Sequence, residues 1–171
     1  DEAADVGFKY FFEVFNPNVD AGFSLAEKGE YVNDSILRAL AGVVKADRPQ
    51  FLKMPFNGPR ALEELCTFDP DLVVGVLGGG AGTTRDTFEL IAQAERHGAR
   101  LALFGRKINL AEHQETIIRM MRRVAERDIA PGEAVRAYHA ELAKLGIRPH
   151  RSLEEDLVVT EVPLQEEASA T

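Results

Sequence analysis

Two ionisable side chains, Lys53 and Glu13, interrupt strongly apolar stretches of this sequence, at residues 50–56 and 9–15. Lysine is almost never fully buried unless it is paired or used. Burial away from water favours the uncharged amine, which is a nucleophile, so Lys53 is a candidate catalytic amine. The alternative interpretation is that Lys53 reaches solvent from a strand end or pairs with a nearby carboxylate.

Glu13 lies near the end of its predicted strand. The carboxyl ends of neighbouring parallel strands lie at the same edge of a sheet, so we expect Glu13 to lie beside Lys53. A carboxylate beside an amine can move protons while an imine forms, or it can simply neutralise the ammonium group. The spacing of the two residues leaves both roles open.

A glycine-rich loop follows the predicted strand 72–77, with the sequence Gly78-Gly79-Gly80-Ala81-Gly82-Thr83-Thr84. Glycines let the backbone approach a ligand closely, and successive N–H groups ahead of a helix bind anions. A tight turn capped by Thr83 or Thr84 explains the same residues without a ligand. The loop matches neither the dinucleotide-binding fingerprint nor a Walker loop, because the glycine spacing and the closing Gly-Lys are missing.

Arg106 follows the next predicted strand, 101–104, directly after Gly105. The loops after the last two strands of a barrel often form a phosphate site together, and the planar guanidinium of arginine suits phosphate. An exposed arginine at a helix start is the alternative, and Lys107 is a weaker candidate for the same role. The residues that we expect to bind phosphate are Gly78, Gly79, Gly80, Gly105 and Arg106.

The elements that would position these residues alternate between strand and helix. Strands are predicted at 9–15, 50–56, 72–77 and 101–104, and helices opening at 32–35, over 59–66, ending at His97, over 111–126 and after Pro131. The strands are too apolar to leave one face in water, which predicts a parallel sheet covered by helices. Either an open doubly wound sheet or part of an eight-stranded barrel satisfies this pattern.

Composition narrows the function classes. The 171 residues are 45% hydrophobic and carry a formal net charge of −8. This charge argues against nucleic acid or an anionic membrane as the main partner. No run approaches the roughly 20 apolar residues that cross a bilayer, and no signal peptide is visible. The sequence begins with Asp1, so we expect a processed chain or a piece of a longer reading frame.

The cysteine and histidine residues give no sign of a metal centre. The single cysteine, Cys66, excludes an intrachain disulfide and favours a reducing cytoplasm. We expect it to be a small core residue. The histidines have no ligand spacing to one another or to Cys66. We therefore expect no metal and no cofactor.

The predicted domain organisation is one partial-barrel domain over residues 1–150 and a polar, acidic tail over residues 151–171. The tail is built of small or polar residues from Glu161 onward, and we expect that part to be frayed.

These motifs together resemble the later half of the class I aldolases of the deoxyribose-phosphate, fructose-bisphosphate and tagatose-bisphosphate group. Phe51-Leu52-Lys53 is similar to the strand-six motif of the Schiff-base lysine, and Phe12-Glu13 to the preceding strand of the tagatose-bisphosphate branch. Residues 77–84 resemble the strand-seven phosphate loop, and residues 104–108 resemble the strand-eight Gly-Arg segment. The resemblance covers roughly residues 7–125. Met54-Pro55-Phe56 departs from the hydroxyl-bearing residues common there, and strands one to four are missing.

The resemblance implies the C-terminal four βα units of a (β/α)8 TIM barrel, with an extra C-terminal helix. It implies a metal-independent lyase that cleaves or forms a C–C bond in a phosphorylated sugar or keto compound through a lysine Schiff base. An isomerase or epimerase-type barrel, or a non-catalytic ligand-binding barrel, is the alternative. The expected partners are the phosphorylated substrate and either further copies of the chain or the missing N-terminal half.

Overall fold

The computed structural model describes residues 2–79 and 82–168. Within these residues the chain is an α/β protein with a four-stranded parallel sheet, as predicted. The strand order β1-β2-β3-β4 follows the chain. The strands are β1 (Phe12–Glu13), β2 (Leu52–Met54), β3 (Val74–Leu77) and β4 (Leu101–Leu103), and each lies inside a predicted stretch.

Nine helices are formed by the described residues, together with a 3-10 turn at Lys45–Asp47. They are α1 (Glu2–Asp5), α2 (Leu25–Leu40), α3 (Pro59–Phe68), α4 (Thr84–Arg96), α5 (Arg106–Asn109), α6 (Gln114–Ala125), α7 (Pro131–Lys144), α8 (Leu153–Asp156) and α9 (Val162–Ala168). The prediction that α2 opens near Val32 is wrong, because Ser24 and Glu27 form a capping box that starts the helix earlier. None of these helices is long and apolar enough to cross a membrane.

The chain divides into two compact units. The first comprises Asp1–Leu77 and His97–Leu103, and so contains the whole sheet with α2 and α3. The second comprises Gly78–Arg96 and Phe104–Thr171, and so contains α4 to α9.

In the first unit, the side chains of β2 alternate between the two faces of the sheet. Leu52 and Met54 are buried, while Lys53 between them is only partly covered. Each buried apolar side chain of this size stabilises the fold by about 1.5–3 kcal/mol. Helices α2 and α3 pack closely, since a Cβ built on Gly29 would lie 2.7 Å from the Ala61 Cβ. On the two central strands, the sheet face with Leu52, Met54, Val74 and Val76 is therefore buried, and the face with Lys53 is partly open.

The core of the second unit lies between α4, α6 and α7. Its fully buried side chains include Phe88, Ile117, Tyr138 and Leu142. Ile118 is exposed although its neighbour Ile117 is buried, because adjacent positions on a helix point about 100° apart.

The C-terminal segment also belongs to the second unit. The expectation of fraying from Glu161 onward is wrong for the described residues, since α9 continues to Ala168 and Leu164 is buried. The Gln93 side-chain amide of α4 donates to the Leu164 carbonyl oxygen at 2.9 Å. The prediction failed because the polar composition of this segment gives no long apolar stripe, whereas hydrogen bonds anchor it to the second unit.

Candidate functional site

Lys53 and Glu13 lie side by side on the partly open face of the sheet. Strands β1 and β2 pair with Glu13 opposite Lys53, and Lys53 Nζ lies 2.7 Å from Glu13 Oε1. The two side chains are 25% and 31% exposed, so the amine is neither sealed from water nor free in solvent. The predicted neighbourhood is confirmed. The ion pair is compatible with proton transfer and with simple neutralisation, the two roles that the spacing left open.

The neighbour of Lys53 on its other side is Gly75 of β3. A Cβ built on Gly75 would lie 2.9 Å from Leu103 Cδ1 and 3.0 Å from Leu101 Cβ. Glycine at this position therefore lets the leucines of β4 pack close to the backbone of β3. Lys53 consequently has a carboxylate on the β1 side and an apolar surface on the β3 side.

Two asparagines that the sequence reasoning missed connect the loops after β1 and β2. Asn16 and Asn57 exchange side-chain amide hydrogen bonds of 2.9 and 2.8 Å, and Asn57 is buried. The Asn-Pro and Asn-Gly-Pro turns predicted the ends of the strands, but nothing in the sequence indicates that the turns pair. The asparagine pair holds together the loops that follow Glu13 and Lys53.

The predicted phosphate-binding residues belong to the second unit. Gly78 must be glycine, because a Cβ there would lie 1.9 Å from the Phe104 ring. Gly79 has a φ of +53°, which also favours glycine. Phe104 precedes the exposed Gly105 and the first residue of α5, Arg106, so the two predicted loops do come together. Gly80 lies outside the described residues.

The amide groups at the start of α4 are already occupied, contrary to the expected anion cradle. The Thr83 N–H donates to Asp86 Oδ2 at 2.7 Å, and the Asp86 N–H donates to Thr83 Oγ1 at 3.1 Å. These are the reciprocal bonds of a capping box, so Thr83 caps the helix as the alternative interpretation proposed. The Thr84 N–H donates to Asp156 Oδ1 at 2.7 Å. The anion at this helix start is therefore a carboxylate of the chain itself.

Asp156 is buried and hydrogen-bonded on both oxygens. Its Oδ2 lies 2.9 Å from His139 Nε2, which donates when the carboxylate is ionised. Burial by itself would raise the pKa of the Asp156 carboxyl, but the bonds from Thr84 and His139 outweigh it and hold that pKa below its usual range. Asp156 is therefore an anion at neutral pH.

Asp156→Asn is expected to lower the free energy of unfolding by about 1.5–3 kcal/mol at pH 7, because a charge-assisted bond is lost. Since the folded pKa lies below the unfolded value of about 3.9, this stabilisation is fully present above that value and is lost as the pH falls through the folded pKa. Urea unfolding from pH 7 to pH 3 measures it, with Asp128→Asn, an exposed acid paired with Arg123, as the control. If the difference in unfolding free energy between Asp156→Asn and the parent stayed constant down to pH 3, it would contradict the lowered pKa of Asp156.

The remaining candidates behave as structural residues. Burial raises the pKa of the Cys66 thiol to about 11, which leaves it unreactive at neutral pH. Glu112 accepts a hydrogen bond from the Tyr138 hydroxyl at 2.9 Å, which ties the segment before α6 to α7. Within residues 2–79 and 82–168, no three His, Cys, Asp or Glu side chains form a group that could hold a metal ion.

Comparisons with known proteins add no family. No protein-family model matches the chain, and no curated protein matches it. The site is therefore interpreted from its own geometry and from the motif resemblance.

Proposed function

We propose that this protein is a class I aldolase-like lyase that cleaves or forms a C–C bond in a phosphorylated sugar or keto compound. Lys53 would attack the carbonyl carbon and lose water to give an iminium, which accepts the electron pair of the breaking C–C bond. Glu13, 2.7 Å from the amine, would take up the ammonium proton and return it to the departing hydroxyl group. This contact is the observation that carries the proposal.

The proposed scaffold is the C-terminal half of a (β/α)8 barrel. A doubly wound sheet reverses its strand order at a switch point, whereas the order here runs β1-β2-β3-β4 without reversal. Helix α2 connects β1 to β2, and α3 connects β2 to β3. Both connections run the same way along the sheet, so right-handed crossovers place the two helices on the same sheet face. The close packing of α2 against α3 agrees with this placement. A dry helix-side face and a partly open face with Lys53 support a sheet that curves toward a barrel interior.

A half-barrel needs a partner at its edges. Among the described strands, β1 and β4 each pair on one side only. Large aromatic residues are exposed in the stretch around β1, namely Phe8, Tyr10, Phe11 and Phe15. We propose that a second copy or an N-terminal half covers this edge, since open strand edges favour association. We also propose a cytoplasmic location, because the single cysteine has no disulfide partner within the chain.

Borohydride trapping tests the lyase directly. The protein is incubated with candidate phosphorylated ketoses and aldehydes, reduced with borohydride, digested and analysed by mass spectrometry. We expect the reduced adduct on Lys53, because borohydride turns an iminium into a stable secondary amine. Lys45, an exposed lysine in an ion pair with Asp71, is the internal control for non-specific modification. An unmodified Lys53 with every phosphosugar would overturn the proposal.

The same ion pair favours an isomerase or epimerase as the second candidate. There Glu13 would act as the base and Lys53 would act only through its charge. Turnover of a phosphosugar without a trappable adduct would identify this function. Ligand binding that survives Lys53→Ala, with no turnover by the parent protein, would instead identify a non-catalytic barrel.

A further inference from the structure

A cavity of about 180 Å³ lies in the second unit, next to the start of α4, and Thr84 is among its lining residues. Its ionisable lining comes from the start of α5, the segment between α5 and α6, the segment that precedes α8, and the end of α8. The ionisable side chains of the lining are Arg106, Lys107, Glu112, His150, Arg151 and Asp156. One lysine and two arginines, Lys107, Arg106 and Arg151, therefore line one small cavity together with two carboxylates.

The two carboxylates of this cavity are engaged by other donors. Glu112 Oε1 accepts the His150 N–H at 2.7 Å, and its Oε2 accepts the Tyr138 hydroxyl. Asp156 accepts the bonds from Thr84 and His139 described above. Among the described residues, neither carboxylate forms an ion pair with a lysine or arginine of the cavity.

The three cations are correspondingly unpaired within the described residues. The Lys107 ammonium carries three donors but makes one long hydrogen bond, 3.3 Å, to the Gly82 carbonyl oxygen. Lys107 is partly buried, and burial lowers its pKa. Arg106 and Arg151 lie at the exposed rim. Asp156 and Glu112 attract Lys107 without forming an ion pair with it, but the lining still has three cations against two carboxylates. An anion in the cavity would neutralise this excess positive charge.

We infer that this cavity binds the phosphate group of a small phosphorylated ligand, with Lys107 at its base and Arg106 and Arg151 at its rim. The inference rests on the proposed function for the identity of the ligand, and it adds two groups to the phosphate site. Lys107 is a direct contact, and Arg151 comes from the C-terminal segment. Two free ammonium donors and two guanidinium forks suit the oxygens of phosphate.

Isothermal titration with inorganic phosphate, and separately with ribose 5-phosphate, tests the inference. We expect saturable binding by the parent protein and a Kd that rises roughly ten- to a hundredfold in Lys107→Met and in Arg151→Gln. Arg148→Gln removes the same charge from an exposed position three residues away, outside the cavity, and should leave the Kd within twofold. Arg151 is exposed, so its variant should fold whether or not Lys107→Met does.

The outcomes separate this inference from the proposed lyase. Absence of phosphate binding by the parent, or equal Kd values in Arg151→Gln and Arg148→Gln, would overturn the phosphate site. Phosphate binding that depends on Arg151, without any adduct on Lys53, would keep the site and reject the lyase. An adduct on Lys53, without phosphate binding by the parent, would keep the lyase and reject the site. Tighter binding of ribose 5-phosphate than of phosphate would show that the sugar is also recognised.

Discussion

For the proposed lyase, replacing Lys53 with methionine should reduce aldol cleavage to the background rate, because no other group at this position can form the iminium. Methionine retains the apolar stem and removes only the amine. The ion pair with Glu13 is partly exposed, so its loss should cost no more than about 1 kcal/mol of stability. Steady-state kinetics with the substrate found by trapping, alongside urea unfolding, separates lost chemistry from lost folding.

Glu13→Gln is the matched variant, since it keeps the shape of the side chain and its contact with Lys53 but cannot accept a proton. We expect kcat to fall roughly 10²–10⁴-fold, the usual contribution of a general acid–base group. The double variant should be no slower than Lys53→Met, because residues that act as a unit are not additive. If Lys53→Met keeps a substantial part of the rate while Glu13→Gln loses it, the isomerase is the better assignment.

The Lys53–Glu13 pair was predictable because it depends on local rules. Alternation along β2 placed Lys53 on the face opposite Leu52 and Met54, and parallel pairing placed Glu13 beside it. The prediction failed on the degree of burial. The sequence of one chain does not reveal how completely a sheet face is covered, since that depends on what packs over it.

The helix starts show how a readable signal can be overlooked. Ser24-x-x-Glu27 and Ser152-x-x-Glu155 both form capping boxes in the structure. The pattern is visible in the sequence and would have placed the starts of α2 and α8 correctly. The low apolar content of the second segment led us to expect a tail there instead.

The occupied amides at the start of α4 could not have been predicted from local sequence patterns. The Thr84 amide and its Asp156 acceptor are 72 residues apart in the sequence, and Asp86 and the Thr160 amide that it accepts are 74 residues apart. A glycine-rich loop before a helix predicts free amides only when no carboxylate from elsewhere folds onto them. The chain supplies its own carboxylates at the start of α4, whereas Arg106 and Lys107 of α5 form no ion pair within the described residues.

Asp86→Ala should destabilise the protein by roughly 3–5 kcal/mol and release the C-terminal segment. Asp86 is buried and accepts the Thr83 amide, the Thr160 amide at 2.7 Å, the Thr160 hydroxyl at 2.6 Å and the Glu161 amide at 3.1 Å. Its removal leaves these donors without their acceptor, which costs more than the loss of the bonds alone. Gly82, where a Cβ would lie 2.6 Å from Asp86 Oδ2, makes room for the carboxylate.

Urea unfolding gives the size of the loss, and amide hydrogen exchange over residues 157–168 locates it, because local opening raises exchange there first. Asp128→Ala removes an exposed, ion-paired aspartate of the same unit and should cost less than about 1 kcal/mol. Thr160→Val removes one hydroxyl donor and should cost roughly 1 kcal/mol, which keeps the test informative if Asp86→Ala does not fold. Unchanged exchange in Asp86→Ala would show that α9 is held by the burial of Leu164 and the Gln93 bond, without a contribution from the carboxylate.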